Sequence, residues 1–275
     1  MDRYAVIGYP VAHSKSPFIH EMFAEQTQQA LTYSKVEASP EDFCSVVEGF
    51  FADGGKGLNV TVPHKERAWE MVAVRTANAD KAGAVNTLFL LDDGLLGGDN
   101  TDGVGLVRDI EQNHQRPLKD KTVLILGAGG AVRGLLPRLI QAAPARIVIA
   151  NRTVARAEAL QQLFADEAAI EVRANNNLAD LRPDWIINGS SAGLQGEMPD
   201  LPASLVTDNT SCYDMVYAPG GTVFQHWAQK HGAVLALDGT GMLVEQAAES
   251  FFRWRGVRPD TAPVLEALRR LLSVG

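Results

Sequence analysis

The chain has 275 residues, 46% hydrophobic and 21% charged, an ordinary globular composition that can bury a sizeable core in one large domain or two modest ones. Twenty-five Lys and Arg against 33 Asp and Glu leave a formal net charge of −8, which argues against a nucleic-acid binder because counterion release needs dense positive charge. The two cysteines, Cys44 and Cys212, are far apart and in no ligand spacing, no apolar run approaches the roughly 18 residues of a membrane span, and MDRYAVIGYP enters a strand directly; a reduced, cytoplasmic protein with no disulfide framework, no metal site, no membrane partner and no leader is expected.

In chain order, Tyr4–Gly8 (YAVIG) reads as a buried strand. Ser16-Pro17 opens a helix, Ser as N-cap and Pro at the first helical position, with Phe18, Ile19, Met22 and Phe23 as its apolar face. Thr32–Val36 is a second strand, and Ser39-Pro40 opens the next helix with Asp42 near the capping-box position. Gly57–Val62 is a third strand, closed by Pro63, and Ala84–Leu91 with Leu95–Gly98 form a hairpin about Asp93-Gly94. The texture changes after Gly103. A helical stretch leads through Arg116-Pro117 to the apolar strand Thr122–Leu126, and strands then alternate with helices. The strands are Arg146–Ala150, Trp185–Ile187, Cys212–Met215 and Val234–Leu237; the helices are Ala131–Gln141, Val154–Phe164 and Thr222–Lys230. Met242–Arg255 and Thr261–Leu272 are a helical tail. Alternating βα units with short continuous strands imply a parallel sheet covered on both faces. The fold class is α/β, in two α/β domains.

TVLILGAGGAVRG carries the most legible cofactor signal. A strand ends at Leu126, Gly127, Gly129 and Gly130 make a turn, and a helix starts near Ala131, so backbone can approach a pyrophosphate at a helix N-terminus. The motif departs from strict G-x-G-x-x-G, since its third position falls on Val132. Where an NAD site places a carboxylate, at the end of the second strand, this chain has Asn151-Arg152-Thr153 and then Arg156. Guanidinium forks suit a 2′-phosphate, and an arginine in a first helical turn is disfavoured by the helix dipole unless an anion is bound. The loop therefore predicts NADP over NAD.

Other polar residues are set against apolar strands. Ser14 and Ser16 lie two apart, so in extended backbone both hydroxyls face one way and could cradle a carboxylate; from the residues alone the simpler account, a loop residue and an N-cap, wins. Thr61 lies near a strand end and Lys65 on a turn or a helix start just after Pro63; at a helix start a cation is unexpected on dipole grounds. His64 has no second ligand nearby and reads as structural or solvated. Asn86 interrupts a β-like run. Asp99, Asn100, Thr101 and Asp102 suit turn chemistry and helix capping as well as a site, and composition does not choose between them.

Together YAVIGYPVAHSKSP, GLNVTVPHK, AVNT, GDNTDGVG, ILGAGGAVRG, NRT, DMVY and DGTGMLVEQAA, in this order and spacing, resemble the shikimate dehydrogenase family along the full length. The resemblance implies a substrate-binding domain with a mixed sheet over 1–102, completed by C-terminal helices in 240–275, and a Rossmann-like NADP domain over 103–239. It implies that Ser14, Ser16 and Tyr217 hold a substrate carboxylate and that Thr61, Asn86 and Gln246 meet the ring. Lys65 and Asp102 would be the catalytic pair. Gly127, Ala128, Gly129, Gly130 and Ala131, with Asn151, Arg152, Thr153 and Arg156, would carry NADP, and Met215, Gly239 and Met242 would lie near the nicotinamide. Two stretches depart from the family pattern: Asn188-Gly189-Ser190-Ser191, and Thr240 where an apolar residue is usual. The implied reaction is reversible hydride transfer between NADPH and 3-dehydroshikimate, giving shikimate, a step toward chorismate and the aromatic amino acids, by a monomer or homodimer. The rival readings are a quinate/shikimate enzyme with relaxed cofactor use and a non-catalytic NADPH sensor.

Overall fold

In a computed structural model the chain forms twelve strands and ten α-helices among the described residues, which are 1–190, 192, 196–198 and 200–273. It divides into two compact units: Met1–Gly105 with Leu243–Leu268, and Leu106–Met242 with the chain from Arg269 on.

The first unit is built on β1 (Asp2–Gly8), β2 (Leu31–Glu37), β3 (Gly55–Val60), β4 (Val74–Arg75), β5 (Thr87–Leu90) and β6 (Leu96–Asp99). They form one mixed sheet in the order β2-β1-β3-β5-β6-β4, with β3–β5 and β5–β6 antiparallel and the other pairs parallel. The side-chain period of two explains its burial on both faces. Ala5 and Ile7 of β1 join Leu58, Val60 and Leu88 in one apolar cluster, with Phe43 and Val47 of α2 (Phe43–Ala52). Tyr4 and Val6 point the other way, with Tyr33 and Trp254. Trp254 belongs to α9 (Thr240–Arg255), and its indole N–H donates to the Leu88 carbonyl at 3.0 Å.

The helix that follows β1 is α1 (Ser16–Gln26). Ser16 is its first helical residue and Lys15 takes the N-cap position, a correction to the expected cap. Ser16 N–H instead bonds the Ser14 hydroxyl at 3.3 Å, so the side chain is spent on its loop neighbour. The next helix likewise starts later than Ser39-Pro40, with Asp42 in its N-cap position but without a side-chain cap bond. Ser39 and Asp42 close a turn on each other at 2.8 Å, and α2 begins at Phe43. The short elements β4 and α4 (Ala77–Ala82) were not anticipated, and α3 (Lys65–Met71) only as a turn or helix start at Lys65, because none is long enough to display a period.

The second unit holds β7 (Thr122–Leu126), β8 (Arg146–Asn151), β9 (Ile170–Ala174), β10 (Trp185–Asn188), β11 (Ser211–Asp214) and β12 (Leu235–Leu237). Every pairing is parallel, in the order β12-β11-β10-β7-β8-β9. Val123, Ile125, Ile147, Ile149 and Ile187 pack against α6 (Gly130–Gln141) through Val132, Leu135 and Leu139. Leu124, Leu126, Val148 and Ile186 face the opposite cluster, with Phe224 and Ala228 of α8 (Val223–Lys230). The strand order reverses direction at β7, and ligands of such sheets bind outside the carboxyl ends of the strands at that switch point.

Candidate active site

Lys65 opens α3 directly after His64. His64 is buried, stacks on Phe43 at 4.6 Å and bonds the Ala38 carbonyl at 2.9 Å, which makes it a structural residue that fixes where the helix begins. The Lys65 carbonyl is held by the Val85 N–H at 2.8 Å. Asp102 opens α5 (Asp102–Arg108), where a carboxylate suits the helix dipole. Its N–H donates to Asn100 Oδ1 at 3.1 Å, and the Asn100 amide donates to the Ala84 carbonyl at 3.1 Å. The two side chains meet: Lys65 Nζ lies 2.5 Å from Asp102 Oδ2, with the lysine side chain 30% exposed and the aspartate 11%. The ammonium is thus fixed at one end and still accessible to a ligand.

The other Asp102 oxygen is held by Asn86, whose Nδ2 donates to Oδ1 at 2.9 Å. The orientation of that amide is fixed by chemistry. Asn86 Oδ1 accepts the Thr101 backbone N–H at 3.0 Å, which can only donate, so Nδ2 must face the carboxylate. Thr87 adds a hydroxyl to Asn86 Oδ1 at 2.9 Å, and the Asn86 amide also reaches Gln246 Oε1 at 3.4 Å. Behind them Asn59 donates to Ser250 Oγ at 2.9 Å and to the Asn86 carbonyl at 3.2 Å, and accepts from the Tyr33 hydroxyl at 2.7 Å. Thr87, Asn59, Ser250 and Tyr33 were not singled out from sequence, and Thr101 was left open between capping and a site. A signal existed for one of them: Asn59 interrupts the apolar run GLNVTV just as Asn86 interrupts its own strand.

Lys65, Asp102, Asn86 and Gln246 are therefore joined in one network. Ser14 Oγ and Ser16 Oγ form a separate pair, 3.2 Å apart. Thr61 follows β3, its N–H bonded to the Ile7 carbonyl at 2.9 Å and its methyl 2.5 Å from where a Cβ on Gly8 would lie. Asp99 proves to be structural. It is buried, accepts the Thr76 hydroxyl at 2.5 Å and pairs with Arg253 at 2.8 Å.

In the second unit, Gly127 follows β7 with φ +103°, a conformation that L side chains rarely adopt, and a Cβ there would lie 2.9 Å from the Gly189 carbonyl oxygen. Gly129 is the extended N-cap of α6, and Gly129, Gly130 and Ala131 are exposed, with Ala128 half-buried. This leaves free N–H groups beside open space, a cradle that suits a pyrophosphate. Asn151 ends β8 and its amide donates to the Thr153 carbonyl at 2.8 Å; Thr153 is the N-cap of α7 (Val154–Leu163). Arg152 and Arg156 are exposed. Two exposed arginines beyond β8 and a glycine turn beyond β7 are residue types that fit NADP. Met215 follows β11, its N–H bonded to the Asn188 carbonyl at 2.9 Å, and Gly239 follows β12, where a Cβ would overlap the Met215 carbonyl. Met242 is 9% exposed and packs in the core. Tyr217 belongs to this unit and is half-buried, and burial pushes its phenol pKa up. Of the two departures, Thr240 is buried and bonds both oxygens of Asp238, at 3.1 and 3.0 Å. Asn188 Oδ1 accepts the Ser190 hydroxyl at 2.7 Å, while Ser191 lies outside the described residues.

A mixed-sheet unit with a fixed lysine–carboxylate pair and a parallel-sheet unit with a dinucleotide cradle define the class of two-unit nucleotide-dependent oxidoreductases. The chain belongs to the shikimate dehydrogenase family. Family models described as shikimate dehydrogenase substrate binding domain, shikimate / quinate 5-dehydrogenase and shikimate 5'-dehydrogenase C-terminal domain match residues 6–88, 109–190 and 239–269. Shikimate dehydrogenase (NADP(+)) of Alkalilimnicola ehrlichii is 58% identical over 98% of both chains. Among solved structures, an enzyme from Pseudomonas putida has a TM-score of 0.93 at 45% identity, covering 98% of each chain. Shikimate 5-dehydrogenase from Thermus thermophilus, in complex with NADP(H) and shikimate, has a TM-score of 0.87 at 33% identity, covering 98% of this chain and 99% of that one. No helix among the described residues is long and apolar enough to cross a membrane.

Proposed function

We propose that this protein is an NADP-dependent shikimate dehydrogenase that reversibly reduces 3-dehydroshikimate to shikimate, with Lys65 and Asp102 as the catalytic pair. The observation that carries the reading is the ammonium held 2.5 Å from a carboxylate oxygen whose partner oxygen is already occupied by Asn86. Substrate binding is assigned to the first unit and NADP to the second. The protein works in the cytoplasm as a monomer or homodimer, without nucleic-acid or membrane partners.

Bound NADPH supplies the hydride to the substrate ketone. Reduction of a ketone puts negative charge on its oxygen, and Lys65 brings to it a point charge with mobile donors. Asp102 orients Nζ and accepts a hydrogen bond from a substrate hydroxyl. Asn86, its amide fixed by Thr101, keeps the carboxylate from turning away. Ser14 and Ser16 offer neutral donors to the substrate carboxylate, and Thr61 and Gln246 line the ring. Arg152 and Arg156 receive the 2′-phosphate of the cofactor.

The direct test is the change in absorbance at the NADPH band with shikimate and NADP, with quinate and NAD as controls. Absence of shikimate-dependent reduction overturns the reading. The cofactor preference is itself an expected result. No carboxylate stands at Asn151–Thr153 to hold a ribose hydroxyl; Arg152 stands there instead, with Arg156 in the first turn of the helix that follows. So kcat/KM with NADPH should exceed that with NADH by at least about tenfold, or ~1.4 kcal/mol. Equal use of both would remove the role of Arg152. Ser14→Ala should raise KM for shikimate more than it lowers kcat, because a hydroxyl on the substrate carboxylate binds ground state and transition state alike. A fall in kcat at unchanged KM would move Ser14 to the reacting centre.

A further inference from the structure

The second unit holds a buried carboxylate that the mechanism does not use. Asp109 is 1% exposed and begins a π-helical turn, Asp109–Asn113, that continues α5. Such turns are rare and recur at functional sites. One carboxylate oxygen accepts the Asn113 amide at 2.8 Å and has His114 Nε2 at 3.7 Å; the other accepts the Tyr213 hydroxyl at 2.7 Å. Tyr213 lies on β11 and is fully buried. Its hydroxyl in turn accepts the backbone N–H of Met242 at 3.1 Å. The same carboxylate lies against Gly241, where a Cβ would overlap it. A burial cost of this size is tolerated only when each oxygen finds a donor, and here the donor chain ends on backbone in the first turn of α9.

That stretch of backbone is held at three points. Asp238 takes the N–H and hydroxyl of Thr240, Gly239 is pressed on the Met215 carbonyl, and Tyr213 takes the Met242 N–H. Gly239 and Met215 follow the carboxyl ends of β12 and β11, whereas the phosphate cradle and the two arginines follow β7 and β8. In a sheet that switches direction at β7, the two halves take the two mononucleotides. The β10–β12 half is therefore the one that meets the nicotinamide.

We propose that Asp109 and Tyr213 are positioning residues for the nicotinamide end of the cofactor. They touch no ligand and set the path of Gly239–Met242, so that this backbone is preorganised before the cofactor arrives. This rests on the reading that the glycine turn binds NADP. Tyr213→Phe deletes one oxygen, breaking the bond to Asp109 and leaving the Met242 N–H without its acceptor.

The test is binding by the full-length protein. NADPH is titrated by its fluorescence, and adenosine 2′,5′-bisphosphate, which lacks the nicotinamide half, by calorimetry. Tyr213→Phe should weaken NADPH by about fivefold or more, the scale of a lost buried hydrogen bond, and leave the bisphosphate within about twofold. Unchanged NADPH affinity overturns the proposal. So does equal weakening of both ligands, because that is a general loosening of the unit. Asp109→Asn, which keeps the shape and gives up the charge, is read by the same two titrations if Tyr213→Phe does not fold. A wild-type protein that binds neither ligand overturns the NADP reading first; one that binds both, with unaltered variants, overturns only the positioning role.

Discussion

Lys65→Ala is expected to lower kcat by about 10²–10⁴, the scale of an acid/base group, in a protein that remains folded. The structure separates the two effects. The backbone of Lys65 keeps its bond to Val85 whatever the side chain, and the start of α3 is set by His64. The side chain is 30% exposed, so loss of its ion pair costs at most about 1 kcal/mol of stability. Asp102 keeps the Asn86 amide and its place in the first turn of α5. What is lost is the cation fixed on that carboxylate, and with it the charge and proton that a developing alkoxide requires. Asp102→Ala should fall on the same scale, through loss of the group that aims Nζ. The measurement is steady-state kinetics beside a thermal melt. A Lys65→Ala enzyme with near-normal kcat and raised KM would make Lys65 a binding group, and the mechanism would then need another donor.

The elements with a period were the ones that could be read. Thr122–Leu126 and Arg146–Ala150 are continuous apolar runs between clear punctuation, and each coincides with a strand to within one residue. β9 was missed because Ile170–Ala174 reads I-E-V-R-A and is only half-buried at the sheet edge. The helix at Ser16 was legible, but its cap was not. Both Ser14 and Ser16 can cap, and the choice depends on a loop conformation that sequence does not encode locally. For the site, individual residues such as Lys65 stood out as violations of local rules. Their meeting did not follow from spacing, since Lys65 at the start of α3 and Asp102 at the start of α5 touch only through the tertiary fold, with Asn86 holding the aspartate from the other side. The order of motifs pointed to both residues through the family resemblance. The Asn59–Ser250 layer beneath the pair is a product of tertiary packing, its members 191 positions apart in the chain.

A second large effect is expected from acid. His20 lies on α1, 1% exposed, stacked on Tyr33 at 4.2 Å and ringed by Phe23, Phe251 and Trp254. Among the described residues neither ring nitrogen finds a hydrogen-bond partner. Burial pushes its pKa down to about 3, with the neighbouring Asn59 side chain opposing the shift. The unfolded chain titrates near the ordinary value of about 6.5. A pKa lowered on folding means that stability is fully present above that value and is lost as pH falls below it toward 3. Between pH 7 and pH 5 this residue alone should remove about 2 kcal/mol, in a window above the main titration of exposed carboxylates. Denaturant unfolding at pH 7, 6 and 5 measures it against His20→Phe, which keeps an aromatic ring in the stack and cannot take up a proton. The variant should lose about 2 kcal/mol less than the wild type over that range. His114, also held below the usual histidine range by burial, contributes to both proteins and cancels in the difference. Parallel curves for the two would show that His20 takes up its proton as readily in the fold as in the unfolded chain. The consequence reaches the site, because Tyr33, the ring stacked on His20, is the residue that orients Asn59 beneath Asn86.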